Sequence, residues 1–316
     1  MNLLNDLNLP IQNNVPLCRY STFQVGGIAQ HFSTPANREQ LIALFEFRKR
    51  AGIPYVVVGR GSNILFPDEG FAGLVISLQK YEVDRVFFNA NQTVKASAGV
   101  SLFRLSALCQ ERAASGLEFV CHIPGTVGGA VWMNAGFGRP GRAYVEIKDV
   151  LEWITVIDSE GKAKVLRRDE IEFEYRSSNL KNCLVLDATF HVSESTRDIV
   201  REEVRANFAY RNSVQDLRYP SAGSIFKNPK KTSGFSSGQL IDKVGLKGFR
   251  IGGAMFSEKH GNFIVNVGQA KAADVTALIH LAQARVRDTY GIELEPEVKV
   301  ITPETNSETV EVGILA

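Results

Sequence analysis

Apolar positions along the chain fall into two periods. After Asn37, a capping residue with Gln40 three positions on, Leu41, Leu44 and Phe45 share one helical face until Gly52 stops it. Ser101 to Gly116 repeats that design with Leu102, Leu105, Leu108 and Cys109, and Gly116 is its predicted terminator. A densely charged helix is expected from about Thr196 to Phe208, with Ile199, Val200 and Val204 as its apolar positions. Another, from about Ala272 to Tyr290, carries Val275, Leu278, Ile279, Ala282 and Val286 on one side, with Gly291 after it. Short β-like runs lie between them: Tyr55–Val58, Val75–Leu78, Thr93–Ala98, Val150–Ile157, Lys164–Leu166, Leu184–Val192 and Asn262–Val267. Ser159-Glu160-Gly161 and Asn89-Ala90-Asn91-Gln92 read as hairpin turns, and the polar stretch Arg205–Pro220 as a hinge. Helices and strands do not alternate strictly, so the predicted fold class is α+β.

Composition narrows the choice. The 316 residues are 44% hydrophobic and 22% charged, which excludes a disordered or collagen-like chain and allows a sizeable core. The formal net charge is +2, with 36 basic and 34 acidic side chains well mixed, so no nucleic-acid partner is expected. Cys18, Cys109, Cys121 and Cys183 form no C-x-x-C pair, which points to buried free thiols rather than a disulfide or metal site. The polar start from Met1 to Pro10 lacks a signal peptide's basic end and apolar core, and no apolar run approaches a membrane span. A cytoplasmic chain with no membrane partner is the expectation.

Candidate chemistry sits in the glycine-rich segments. Val56-Val57-Val58-Gly59-Arg60-Gly61-Ser62-Asn63-Ile64-Leu65 runs a strand into a turn whose successive N–H groups can form an anion nest. Ile64 and Pro67 rule out a Rossmann fingerprint, and a plain glycine turn between strands is the competing account. Ile123-Pro124-Gly125-Thr126-Val127-Gly128-Gly129-Ala130, followed by Asn134-Ala135-Gly136, can wrap a pyrophosphate with neutral donors; the alternative is a tight buried crossover. Together the nests suit a dinucleotide-type ligand. A third loop, Tyr219-Pro220-Ser221-Ala222-Gly223-Ser224-Ile225-Phe226-Lys227-Asn228-Pro229, offers a hydroxyl proton donor, with Lys227 and Asn228 for phosphate or uracil-like groups. It has no nucleophile elbow and no nearby His, so hydrolase chemistry is not indicated. Tyr175-Arg176-Ser177-Ser178 and Leu294-Glu295-Pro296-Glu297-Val298 are weak alone, and a surface salt bridge would account for either.

In this order, and joined by Ser21-Thr22-Phe23-Gln24-Val25-Gly26-Gly27 and Gly252-Gly253-Ala254, these segments resemble the UDP-N-acetylenolpyruvoylglucosamine reductases, flavin enzymes of bacterial cell-wall precursor synthesis. The resemblance runs from about residue 17 to 301. It implies an α+β fold with a two-part FAD-binding region of the vanillyl-alcohol-oxidase type and a smaller α+β substrate-binding domain. The subdomains would be 1–80 and 81–205 for FAD and 206–298 for substrate, with 299–316 packing back on the first.

The same resemblance implies FAD as cofactor and NADPH as co-substrate. It implies hydride transfer from flavin N5 to the vinyl carbon of a UDP-sugar enolpyruvyl ether, and a monomer is expected. Mapped onto this chain, the proton donor is Ser224, and the groups holding the substrate carboxylate are Arg176 and Glu297. The cofactor set is Gly59, Gly61, Ser62, Asn63, Pro124, Gly125, Thr126, Gly128, Asn134 and Gly136, and the substrate set Tyr175, Lys227 and Asn228. Many relatives read Asn-Ala-Gly-Ala-Tyr-Gly where this chain has Asn134-Ala135-Gly136-Phe137-Gly138. The short spacing from Arg176 to Ser224 resembles the shorter family type, which lacks a tyrosine-bearing lid. Another FAD-dependent oxidase or dehydrogenase on the same scaffold is the alternative.

Overall fold

A computed structural model describes residues 9–158, 162–229, 234–302 and 314–315. The predicted turn Ser159-Glu160-Gly161 lies outside the described residues, although the strands on either side of it, Leu151–Ile157 and Ala163–Arg167, pair antiparallel. The described helices are α1 (Arg38–Ala51), α2 (Leu102–Glu111), α3 (Val127–Trp132), α4 (Ile147–Val150), α5 (Arg197–Val214), α6 (Ser237–Lys243) and α7 (Ala272–Tyr290).

Local chemistry sets several of the boundaries. Asn37 accepts from the Gln40 N–H at 3.0 Å, and the Gln40 side chain accepts from Ala36 N–H at 2.8 Å, so α1 begins on a reciprocal cap. Gly52 and Gly291 end α1 and α7 in the left-handed region. The expected end of α2 at Gly116 is corrected. Ala113 turns left-handed, and Ala114–Ser115 leaves the helix to pair with Ser193–Glu194. The expected hinge at Arg205–Pro220 is also corrected, because α5 continues through Val214 and buries Val200 and Asn207. Ile199, read as part of its apolar side, is exposed.

Two five-stranded sheets and one three-stranded sheet organise the chain. In the first, the order is Ile11–Pro16, Ile28–Ser33, Phe71–Ser77, Tyr55–Val58 and Ile314–Leu315, parallel after the first pair. Tyr55–Val58 is buried at every position, as expected of a central parallel strand covered on both faces. The second sheet is antiparallel throughout, running Ala163–Arg167, Leu151–Ile157, Leu184–His191, Thr93–Ser97 and Val86–Asn89. These two share a core. The third sheet (Arg250–Ile251, Ala254–Phe256, Ile264–Asn266) packs with α6 and α7 around a second core, which also takes in Phe23, Val25 and Leu65.

Long-range bonds join the second core to the first sheet. The Asp68 carboxylate accepts from the Ala272 and Ala273 N–H groups at 2.8 and 3.0 Å, capping α7 from a distant part of the chain. Asn266 donates to the Phe23 carbonyl at 3.0 Å. Past residue 297 the chain returns, and Lys299–Val300 pairs in parallel with Ile64–Leu65. That return brings the Glu-Pro-Glu segment beside the first glycine turn. Among the described residues all four cysteines are free; Cys109 and Cys121 are buried, whereas Cys18 and Cys183 are only half-buried.

Candidate functional site

The first glycine turn follows the buried strand Tyr55–Val58. Gly61 sits at φ +64, and an added Cβ would lie 2.1 Å from the Tyr20 carbonyl oxygen, so only glycine suits this bend. The second glycine segment becomes α3 rather than an open loop. Thr126 caps it, its hydroxyl accepting from Gly129 N–H at 3.4 Å, and every residue from Val127 to Trp132 is buried. The two segments touch: a Cβ on Gly59 would stand 2.6 Å from Thr126 Oγ1.

Among the described residues, the backbone N–H groups of Gly61, Ser62, Asn63, Gly125 and Thr126 have no protein acceptor. Such a cluster of unspent amides suits an anion. Gly128 does not belong to it. Its N–H is donated to Ala98 O at 3.0 Å and it is buried. Adjoining cavities of about 240, 330 and 310 Å³ pass these amides, sharing Arg60 and Ser101 at one junction and His122, Ile123 and Pro124 at the next. An elongated dinucleotide such as FAD fits that line of cavities and that donor set.

Ser62, Asn63, Pro124, Gly136, Arg176, Ser224 and Glu297 all border the 310 Å³ cavity. Arg176 and Glu297, 121 positions apart, form an ion pair with Nε to Oε1 at 2.9 Å, both side chains largely buried. Arg176 Nη2 also donates to Gly136 O at 3.1 Å, and its guanidinium lies near the Tyr144 and Tyr175 rings. Burial works against the Arg176 charge, but Glu297 and the tyrosines outweigh it and hold the guanidinium above its ordinary value. Burial pushes the Glu297 carboxyl up, against the pull of Arg176 and Lys227.

Three extended segments carry the other groups. Ser224 bridges Phe263, Ile225 donates to Asn262 O at 2.9 Å, and Glu297 N–H donates to Ile225 O at 2.7 Å. Asn63 closes the arrangement by donating to the Glu297 carbonyl at 3.0 Å. Ser224 and Glu297 thus lie on neighbouring strands although far apart in sequence.

The Arg176 hairpin has its own support. Phe173–Glu174 pairs with Ser177–Ser178, leaving Tyr175 and Arg176 at the tip, with Arg176 at φ +58. Ser178 donates to Trp132 O at 2.7 Å, and Asn134 Nδ2 to Glu174 O at 3.0 Å. Asn134 Oδ1 accepts from Lys148 N–H at 3.1 Å, and the residue is fully buried. Its side chain thus holds the hairpin that carries Arg176.

Tyr175, Lys227 and Asn228 do not border the Ser224 cavity. They line a neighbouring one of about 870 Å³, together with Glu295, Phe235 and Tyr290. Lys227 is paired with Glu295 at 2.6 Å. Reading the chain missed Tyr144, His122, Arg211 and Gln215, which also border the Ser224 cavity. None lies in a glycine-rich or Pro-flanked motif, so no local pattern marked them.

Comparison with known proteins fits this geometry. A family profile described as an FAD binding domain matches residues 29–167, which span the glycine turns and most of both large sheets. Fold and site therefore define an FAD-dependent oxidoreductase. A second profile, the C-terminal domain of UDP-N-acetylenolpyruvoylglucosamine reductase, matches residues 215–301. The reductase of that name from Heliobacterium modesticaldum is 41% identical over 90% of this chain and 89% of its own length. That from Chlamydia muridarum is 39% identical over 96% and 99%. The crystal structure of the reductase from Thermus caldophilus superposes with a TM-score of 0.76 at 35% identity, covering 92% of this chain and 99% of that one. The chain belongs to the UDP-N-acetylenolpyruvoylglucosamine reductase family. Its fold is the family's: α+β, with a two-part FAD-binding region and a smaller α+β domain.

Proposed function

We propose that the protein uses NADPH and FAD to reduce the enolpyruvyl ether of UDP-N-acetylglucosamine to UDP-N-acetylmuramate, a step of peptidoglycan precursor synthesis. The observation that carries this reading is the largely buried Arg176–Glu297 pair in the wall of the cavity that Ser224 also borders. Bound FAD, reduced by NADPH, supplies the hydride for the terminal vinyl carbon. As that bond forms, the double-bond electrons move to the adjacent carbon and into the substrate carboxylate.

The chain's own groups answer that charge. Arg176 holds the carboxylate with a fixed cation, and Glu297, raised by burial, donates a hydrogen bond in its protonated form. Ser224 gives its proton to the adjacent carbon, and a strongly basic enolate is the partner that a hydroxyl of high pKa requires. The amides of Gly61, Ser62, Asn63, Gly125 and Thr126 hold the FAD pyrophosphate, with Gly59, Pro124 and Gly136 shaping the approach. Tyr175, Lys227 and Asn228 take the UDP-sugar in the larger cavity beside it.

In this reading residues 1–80 and 81–205 form the FAD-binding subdomains and 206–298 the substrate domain, with 299–316 completing the first. The working form is a cytoplasmic monomer. No described helix is long and apolar enough to cross a membrane.

Stopped-flow absorbance on Ser224→Ala tests the assignment. NADPH should still bleach the flavin at the wild-type rate, while reoxidation by the enolpyruvyl sugar is lost. Equal loss of both half-reactions would remove Ser224 from the role of proton donor.

A further inference from the structure

The strand pair Gly136–Phe137 and Val145–Glu146 makes a second hairpin, with residues 138–144 as its loop. Gly136, Phe137, Gly138 and Tyr144 all border the Ser224 cavity. The base of this hairpin meets the reaction machinery, because Arg176 Nη2 donates to Gly136 O at 3.1 Å. Tyr144 folds back over that base. A Cβ on Gly136 would stand 3.1 Å from the Tyr144 hydroxyl oxygen, and one on Gly138 would stand 3.0 Å from the Tyr144 Cα. The Tyr144 ring, exposed at the cavity rim, lies 5.8 Å from the Arg176 guanidinium.

The far end of the loop is fastened to α5. Arg139 donates through Nε to Asn207 Oδ1 at 2.9 Å and through Nη2 to Glu203 Oε1 at 2.8 Å. Arg142 Nη2 donates to Glu203 Oε2 at 2.8 Å, so one carboxylate takes both arginines, one on each oxygen. Glu203, Asn207 and Tyr210 are spaced i, i+4 and i+7, which is one face of the helix. Phe137 packs against the third of them, with ring centroids 6.1 Å apart. Asn207 is buried and anchored in turn, its Nδ2 donating to Glu118 O at 3.1 Å. Ion pairs on a surface stabilise a fold little. Here Arg139 and Glu203 are both largely buried, and what they hold is the tip of a rim loop.

We propose that Glu203 is a positioning residue for turnover: by clamping Arg139 and Arg142 it holds Gly136 O and Tyr144 against Arg176, and so aims the guanidinium. The proposal rests on the reading that Arg176 holds the substrate carboxylate, and it adds the remote group that sets its direction. Glu203 does not itself border the Ser224 cavity, so its effect passes through the hairpin. With the clamp released, Arg176 keeps its charge and its Glu297 partner but loses a fixed carbonyl and a fixed ring beside it. Misplacement of a binding group by about 1 Å can cost on the order of a hundredfold in rate, so loosening a distant support is enough to be measured.

The test uses the flavin-loaded full chain and two variants that release the clamp from opposite sides, Glu203→Ala and Arg139→Met. In both, KM for the enolpyruvyl sugar should rise about tenfold, while flavin content and the rate of flavin reduction by NADPH match wild type. Glu203→Gln, which keeps one acceptor oxygen, should recover part of the loss. Amide hydrogen exchange should quicken about tenfold across residues 138–144 and stay unchanged in the second sheet. Combining Glu203→Ala with Tyr144→Ala should raise KM by less than the product of the single effects, because both act on Arg176 through one hairpin. An unchanged KM in both clamp variants overturns the proposal, and so does strict multiplicativity with Tyr144→Ala. Faster exchange throughout the chain with loss of flavin also overturns it, since Glu203 would then support the fold at large. Wild type that NADPH reduces but the enolpyruvyl sugar fails to reoxidise overturns the proposed function itself, an outcome distinct from a sugar-competent wild type with indifferent variants.

Discussion

Glu297 is held between opposing influences: burial favours its neutral form and Arg176, 2.9 Å away, favours the charged one. Burial prevails, so the carboxyl keeps its proton to higher pH than an ordinary glutamate. If the protonated form is the working one, turnover with the enolpyruvyl sugar falls as pH rises through that raised pKa. Glu297→Gln keeps a donor and should flatten this alkaline limb, whereas Glu297→Ala should cost about 2.7–4 kcal/mol of transition-state stabilisation. Pre-steady-state reoxidation rates across pH separate the two, and equal rates for both variants would argue against a protonated acid. The chemical identity of these groups was readable in the chain: a guanidinium, a hydroxyl and a carboxyl each sat in a recognisable motif. Their mutual influence was not, because a pKa depends on neighbours that are over a hundred positions away.

Among the elements, the glycine turn and the Arg176 hairpin show how local geometry serves the site. Gly61→Ala would place a Cβ against the Tyr20 carbonyl at positive φ. The backbone strain alone should cost about 1–3 kcal/mol, and the variant should purify with little flavin; a yellow protein of normal melting temperature would contradict this. Asn134→Ala should leave the Glu174 carbonyl and Lys148 N–H unpaired, costing about 1–3 kcal/mol in thermal denaturation, and should raise KM for the sugar as the Arg176 hairpin loosens. An unchanged KM would separate Asn134 from the hairpin's placement. Periodicity and caps marked α1 and α7 closely, since their signals lie within a few residues of each end. It failed at the end of α2 and at the supposed hinge. There, a strand partner at Ser193–Glu194 and the burial of Asn207 overrode local preference. The Val127–Trp132 helix was hidden because its glycines read as loop, and only burial on all sides makes so short a helix stable.

On the scale of the molecule, one carboxylate couples the first sheet to the second core. Asp68→Ala should lower stability by about 1 kcal/mol through the lost α7 cap, seen as a reduced melting temperature with flavin content unchanged. A normal melting temperature would mean that solvent replaces the cap without cost. The return of the chain past Glu297 matters more for chemistry, since pairing of Lys299–Val300 with Ile64–Leu65 seats the acid beside Asn63. By itself the sequence determined the α+β class, most of the long elements, the glycine turns and the types of group available for chemistry, because these depend on neighbours a few residues away. Only the tertiary structure decided that Arg176 and Glu297 pair and share a cavity with Ser224. It alone decided that Asn134 braces a hairpin and that Gly128 has spent its amide. Those outcomes follow from which distant segments pack side by side, and no local pattern of residues encodes that proximity.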